Sequence, residues 1–187
     1  MSDTAGSLTP EQRLELHEAK ERARSFLGAA KVAGFNGWTL GFFAVMSILF
    51  GLLSPINLLV GLGLAVVARN EFLGRSRLRR LDASGLELLW QNQLGLVAII
   101  TAYCLWNMYR AVAHPNPQMT QLTDLLGAGS GELIQSLTLI VYVAVMVATV
   151  IFQGLNARYY FVRVARLREY LRTTPPWVLD VQRLSEV

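Results

Sequence analysis

The side chains in this sequence with the most chemical potential are amides and arginines. Gln91, Asn92 and Gln93 stand together, Gln153 and Asn156 recur near the end of the last apolar stretch, and Asn36, Asn57, Asn107 and Gln135 lie in similarly apolar surroundings. A carboxamide has donors and an acceptor but no titratable proton. In an apolar medium it either bonds helix to helix or lines a wetted path. Helix-to-helix bonding is the simpler expectation; a polar conduit built from Gln91, Asn92, Gln93, Gln153 and Asn156 is the sharper one. Acid–base chemistry has less support. No Asp, Glu, Lys, Arg or His falls near the centre of an apolar stretch, where proton relays and charge-coupled transporters commonly place them. No Ser-His-Asp set, metal-ligand cluster or facing pair of carboxylates assembles in one compartment. The expectation is a non-catalytic protein without metal or cofactor.

The arginines repeat. "VARNEFLGRSRLRRL" at 67–81 is echoed by "NARYYFVRVARLREYL" at 156–171, and an offset of 89 places Ala68 on Ala157, Arg69 on Arg158, Phe72 on Phe161, and Arg77, Leu78 and Arg79 on Arg166, Leu167 and Arg168. Of 17 basic residues only Lys20 and Lys31 are lysines. An arginine fork grips phosphate oxygens bidentately, and a basic residue near an anionic membrane surface gains about 1 kcal/mol. Arg69, Arg75, Arg77, Arg79, Arg80, Arg158, Arg163, Arg166, Arg168 and Arg172 are therefore expected to meet anionic lipid headgroups, the partner already adjacent, rather than nucleic acid.

These groups are positioned by strongly apolar elements. The chain of 187 residues is 53% hydrophobic and 16% charged. Residues 32–68, 88–109 and 133–157 hold no Asp, Glu, Lys or Arg over 37, 22 and 25 residues. A bilayer core of about 30 Å takes roughly 20 helical residues, so the last two windows each fit one span and the first is too long for one. "GLLSPIN" divides it: Gly51 is expected to end a helix in the left-handed conformation, Ser54 to cap the next, and Pro55 to occupy its first position. The fold class is thus all-α, a polytopic membrane protein with four transmembrane helices at about 33–50, 55–73, 86–109 and 132–157, an outer loop at 110–131, a cytoplasmic helix within 1–32 and a basic helix and tail at 158–187.

Arg and Lys precede the first span and follow the second and fourth, with Arg110 the lone exception. The positive-inside rule then puts both termini in the cytoplasm and the protein in the cytoplasmic membrane. Trp38, Trp90, Tyr159 and Tyr160 fall at inner helix ends and Trp106 and Tyr109 at an outer one, as interfacial anchors do. Some thirty polar residues precede the first apolar run, which is read as an uncleaved membrane signal. From Pro55 to Arg69 the second span is short. Full spanning, with Arg69 and Glu71 at interface depth, is favoured over a re-entrant hairpin because arginine at a helix end extends to the headgroups.

Local signals sharpen the ends. Thr9 with Gln12, and Ser84 with Glu87, form capping-box patterns, and Ser130 is placed to cap the fourth helix. Gly74 is expected to interrupt the helix after the second span. Tyr160, Val164, Leu167 and Leu171 share one helical face, and Trp177, Val178, Val181 and Leu184 a shorter one. Ala29, Ala33, Gly37 and Gly41 make a small-residue stripe suited to close helix packing, within the chain or between copies. Cys104 reads as a small buried apolar residue, and His17 and His114 lie in opposite compartments and cannot share a metal. "GLGLAV" and "GAGSG" lack the context of nucleotide-binding loops. "LGFFAVMS" at 40–47 matches "LGLVAIIT" at an offset of 54, which fits either two tandem helical hairpins, the first shorter than the second, or convergent chemistry where helices leave the membrane. The functional expectation is an assembly, scaffold or accessory subunit, acting as a homo-oligomer or with a membrane-protein partner; the alternative is a homo-oligomeric pore lined by the amides.

Overall fold

A computed structural model describes residues 8–51, 54–113 and 130–185. They form five helices: α1 (Pro10–Gly51), α2 (Pro55–Arg79), α3 (Ser84–Ala113), α4 (Ser130–Thr173) and α5 (Pro176–Ser185), with no strand among the described residues. The first four are long and apolar enough to cross a membrane, so the chain is an all-α membrane protein. The expected loop at 110–131 lies mostly outside the described residues.

The helix expected before the first span and the span itself are one element. Thr9 and Gln12 close the capping box in both directions, Gln12 N–H donating to Thr9 Oγ1 at 3.2 Å and Thr9 N–H to Gln12 Oε1 at 3.0 Å. From there α1 runs unbroken for 42 residues. The basic segment after the fourth span is likewise continuous with it in α4.

Four local expectations are corrected. Gly51 is not left-handed; it ends α1 by allowing α2 to approach, since a Cβ there would lie 2.6 Å from the Leu58 backbone nitrogen. Ser54 takes the N-cap backbone conformation before Pro55 but its hydroxyl makes no cap bond. Gly74 does not interrupt α2: its missing side chain lets Leu89 and the Gly85 carbonyl in, at 2.6 and 3.2 Å from where a Cβ would stand. Ser84 and Glu87 form no capping box. Asp82 Oδ1 accepts the Ser84 N–H at 2.9 Å instead, and Glu87 pairs with Arg168 of α4. The α2–α3 turn is closed by Leu81, whose φ of 56° is left-handed, while Arg80 and Asp82 both donate to the Arg77 carbonyl at 3.0 Å.

The main core lies at the arginine-rich end. Ala23, Phe26, Ala29 and Ala33 of α1 meet Leu78 of α2, Leu86 and Leu89 of α3, Tyr160 and Leu167 of α4, and Leu179 of α5. The face Tyr160–Val164–Leu167 therefore packs against neighbouring helices, with Leu171 at its edge. α5 is rotated from the expected face: Val178, Leu179 and Gln182 are buried, while Leu184 is exposed. The Tyr170 hydroxyl, 2.7 Å from Gln182 Oε1 and 3.2 Å from the Ala19 carbonyl, ties α5, α4 and α1 together on this face. A second, smaller cluster of Ala44, Leu64, Val67 and Leu96 holds the spans of α1, α2 and α3.

Candidate functional site

Just inside the basic end, the four spans converge on Glu71. The buried face of α2 is Gly61, Leu64, Val67, Ala68, Glu71, Gly74 and Leu78, so the carboxylate occupies a core position in an otherwise apolar or small stripe. It is 0% exposed. α1 approaches closely because Gly37 has no side chain: a Cβ there would stand 3.2 Å from Glu71 Cβ and 3.1 Å from the Phe72 ring.

From α3, Asn92 Nδ2 donates to Glu71 Oε1 at 2.8 Å and Gln93 Nε2 to the same oxygen at 2.7 Å. Asn92 is itself held, donating also to the Val67 carbonyl at 2.9 Å and accepting from Asn70 Nδ2 at 3.2 Å. These partners are amides rather than cations. The second oxygen, Oε2, is buried without a hydrogen-bond partner. α4 supplies Tyr160, also 0% exposed, whose hydroxyl is likewise unpartnered. It lies within electrostatic reach of Glu71 and beside the Asn36 amide of α1, without completing a hydrogen bond by geometry. Buried polar atoms are paired in the great majority of cases, so two orphaned oxygens in one layer mark it as a site.

An aromatic belt surrounds this layer. Trp38 meets Phe72 edge-on at 5.8 Å, and Trp90 meets Phe161 edge-on at 5.7 Å. Beyond it, away from the basic end, all four helices line a cavity of about 520 Å³. Its wall is mainly apolar, with Leu40, Leu64 and Leu96 towards Glu71, and its polar groups include Ser47, Asn57, Thr149 and Gln153.

The expected conduit is divided between these two places. Asn92 and Gln93 are buried on Glu71, Gln91 is exposed on another face of α3, Gln153 lines the cavity, and Asn156 donates to Gln153 Oε1 at 3.5 Å. The five amides do not line a single lumen. Asn107 and Gln135 serve backbone carbonyls, Tyr103 at 2.8 Å and Ala111 at 3.2 Å.

The small stripe is realised in part. Ala29, Ala33 and Gly37 are buried, but Gly41 has nothing near it, and the close approaches run instead through Gly34 against Arg75 and Gly61 against Ile48.

The arginines sort into several environments. Arg69, Arg77, Arg79, Arg80, Arg158 and Arg166 are exposed, and Arg75 is half-buried. Arg168 is paired with Glu87, and Arg172 with Glu169 at 3.0 Å. Arg163 donates to the Tyr159 carbonyl at 2.8 Å, with its guanidinium 3.5 Å from the ring centroid. Cys104 is buried, as expected of a small apolar residue.

Glu71, the centre of this candidate site, was assigned by sequence reasoning only to interface depth. A signal was present: it sits three residues after Ala68 and three before Gly74, on the apolar face of its helix.

Fold and site together define a helical membrane protein of two hairpins with, among the described residues, one buried carboxylate between them. No protein-family model, curated protein or solved structure matched the chain.

Proposed function

We propose that the protein is a non-catalytic subunit of the cytoplasmic membrane that packs against the transmembrane helix of a partner membrane protein, with its arginine-rich end in the cytoplasm and on anionic lipid. The observation that carries this reading is the state of α4. None of its most apolar 18-residue stretch is buried within the chain. α4 joins α1 in the basic-end core, but at the level of the spans a cavity lies between them, so the bundle is open along that flank. Helices in lipid associate through packing rather than hydrophobic drive, and an open flank beside a cavity offers surface for one more helix. The amides lend the pore alternative less support, because their bonds are largely spent within the chain.

Photoreactive residues at Leu137, Val141 and Val145, which share one exposed face of α4, should each capture the same protein in native membranes. Adducts to lipid alone at all three positions would overturn the reading, as would ion-selective flux from the purified protein alone in liposomes. In a Cys104→Ala background, cysteine at Ser54 or Ser130 should react with an impermeant reagent from outside, and a reporter after Val187 should read as cytoplasmic. Protection at Ser54 with Ser130 still reactive would turn α1 and α2 into a re-entrant hairpin.

A further inference from the structure

Besides its orphaned oxygens, the Glu71 layer has a polar approach. Thr149, Gln153, Asn156 and Tyr160 follow at spacings of three and four residues along α4 and so share one face. The first two line the cavity, Asn156 is bonded to Gln153, and Tyr160 lies within electrostatic reach of Glu71. In a helix none of whose most apolar stretch is buried within the chain, this polar row leads from the cavity to the buried carboxylate. It stops there, because Tyr160 is also part of the core that closes the basic end.

We propose that Glu71 and Tyr160 form a proton-binding site, loaded and unloaded from the membrane cavity along the Gln153–Asn156 face of α4. The inference does not depend on the partner reading above. A proton suits the layer better than a metal ion. The amide donors of Asn92 and Gln93 are turned toward Glu71 Oε1, leaving few free oxygens, whereas a hard cation takes six or more oxygen ligands.

On release, the Glu71 Oε2–H bond breaks and a water between the two orphaned oxygens takes the proton, which leaves past Asn156 and Gln153. The carboxylate stays anchored through Oε1, and uptake is the reverse. Tyr160 keeps its own proton throughout and is a positioning residue, its hydroxyl holding the bridging water.

The surroundings leave the site room to titrate. α1 presents Gly37 and the Asn36 amide, and α3 presents Asn92 and Gln93, with Glu87 farther along already paired to Arg168. The charged neighbours are Arg75 on α2, packed on Gly34, and Arg163 on α4, held over Tyr159. Arg69 and Arg158 are exposed.

The test is infrared difference spectroscopy of the full chain in liposomes, titrated between about pH 4 and about pH 10, a range that brackets perturbed carboxyl groups. The expected result is a carboxylic-acid carbonyl band that disappears as pH rises and is missing from Glu71→Gln. Tyr160→Phe, which keeps the ring, should move its midpoint by about one pH unit by removing one hydrogen-bonding group. Gln153→Leu should slow hydrogen–deuterium exchange of the band severalfold without moving the midpoint.

A spectrum in which Glu71→Gln removes no titrating band, while the variant keeps the wild-type helix content and melting temperature, overturns the proposal. A band that responds to sodium at fixed pH but not to pH overturns it in favour of a metal cation. A midpoint and exchange rate indifferent to both Tyr160→Phe and Gln153→Leu overturn the assigned site and path.

Discussion

The two hairpins reuse one frame with different contents. In α1–α2, Phe72 packs edge-on against Trp38; in α3–α4, Phe161 packs edge-on against Trp90, with interplanar angles of 84° in both. The offset of 89 that aligns the two phenylalanines also aligns Glu71 with Tyr160, so the matching positions hold the two orphaned oxygens of the candidate site. Their packing differs. α1 and α2 are drawn together through Gly34, Gly37, Gly51 and Gly61, whereas Gly95 and Gly154 of the second hairpin have nothing within 4 Å. Helix-exit chemistry is shared, while glycines draw together the two helices of the first hairpin, and Gly85 of the second approaches α2 instead. The carboxylate sits on the tight one, where Gly37 lets α1 close over it and leaves it 0% exposed.

The sharpest way to break this contrast is to fill equivalent space in each hairpin. Gly61→Leu would drive a side chain into Ile48, whose backbone nitrogen is 2.9 Å from the Cβ position, and overpacking of this kind should cost about 3 kcal/mol. Gly154→Leu meets open space and should change stability by less than about 0.5 kcal/mol, as read from thermal unfolding in detergent. Equal losses would mean that the second hairpin is as tightly closed as the first.

A smaller effect should come from the seam between the hairpins. Asn92→Leu removes one of the two donors on Glu71 Oε1 and the bond to the Val67 carbonyl, leaving buried acceptors short, at about 2 kcal/mol. Leucine at Gln91, which is exposed, should cost nothing measurable in the same melt.

The smallest effect expected is on lipid. Neutralising Arg75, Arg77, Arg79 and Arg80 should lower retention of anionic phospholipid severalfold at low salt and have little effect at high salt. Neutralising Arg166, Arg168 and Arg172 probes the second set, in which Arg168 and Arg172 pair with Glu87 and Glu169. Native mass spectrometry of bound lipid would separate the two sets, and equal retention in both would make the arginine echo a surface feature without lipid preference.

Much of the architecture follows from composition and spacing alone. Charge-free windows set four spans, Thr9 and Gln12 set where α1 begins, and Pro55 sets where α2 begins, because these depend on bilayer thickness and on bonds between residues three apart. The importance of Asn92 and Gln93 was also legible, since amides in apolar helices need partners. Which partner they take was not. A window that counts charges ends at Ala68 and leaves Glu71 among the exposed arginines, only two residues after Arg69.

Side chains two apart on a helix point in different directions, so Arg69 faces out and Glu71 faces in, and only the neighbours decide what either meets. The same reason explains Gly51 and Gly74. Sequence reads a glycine as freedom to turn, and the folded chain uses these two as room for a neighbouring helix. Sequence alone determined the helices and their membrane character, which rest on local bonds and transfer from water. The tertiary structure decided that a glycine, two amides, a phenol and a carboxylate from four helices share one buried layer, because that depends on the rotation of each helix about its own axis.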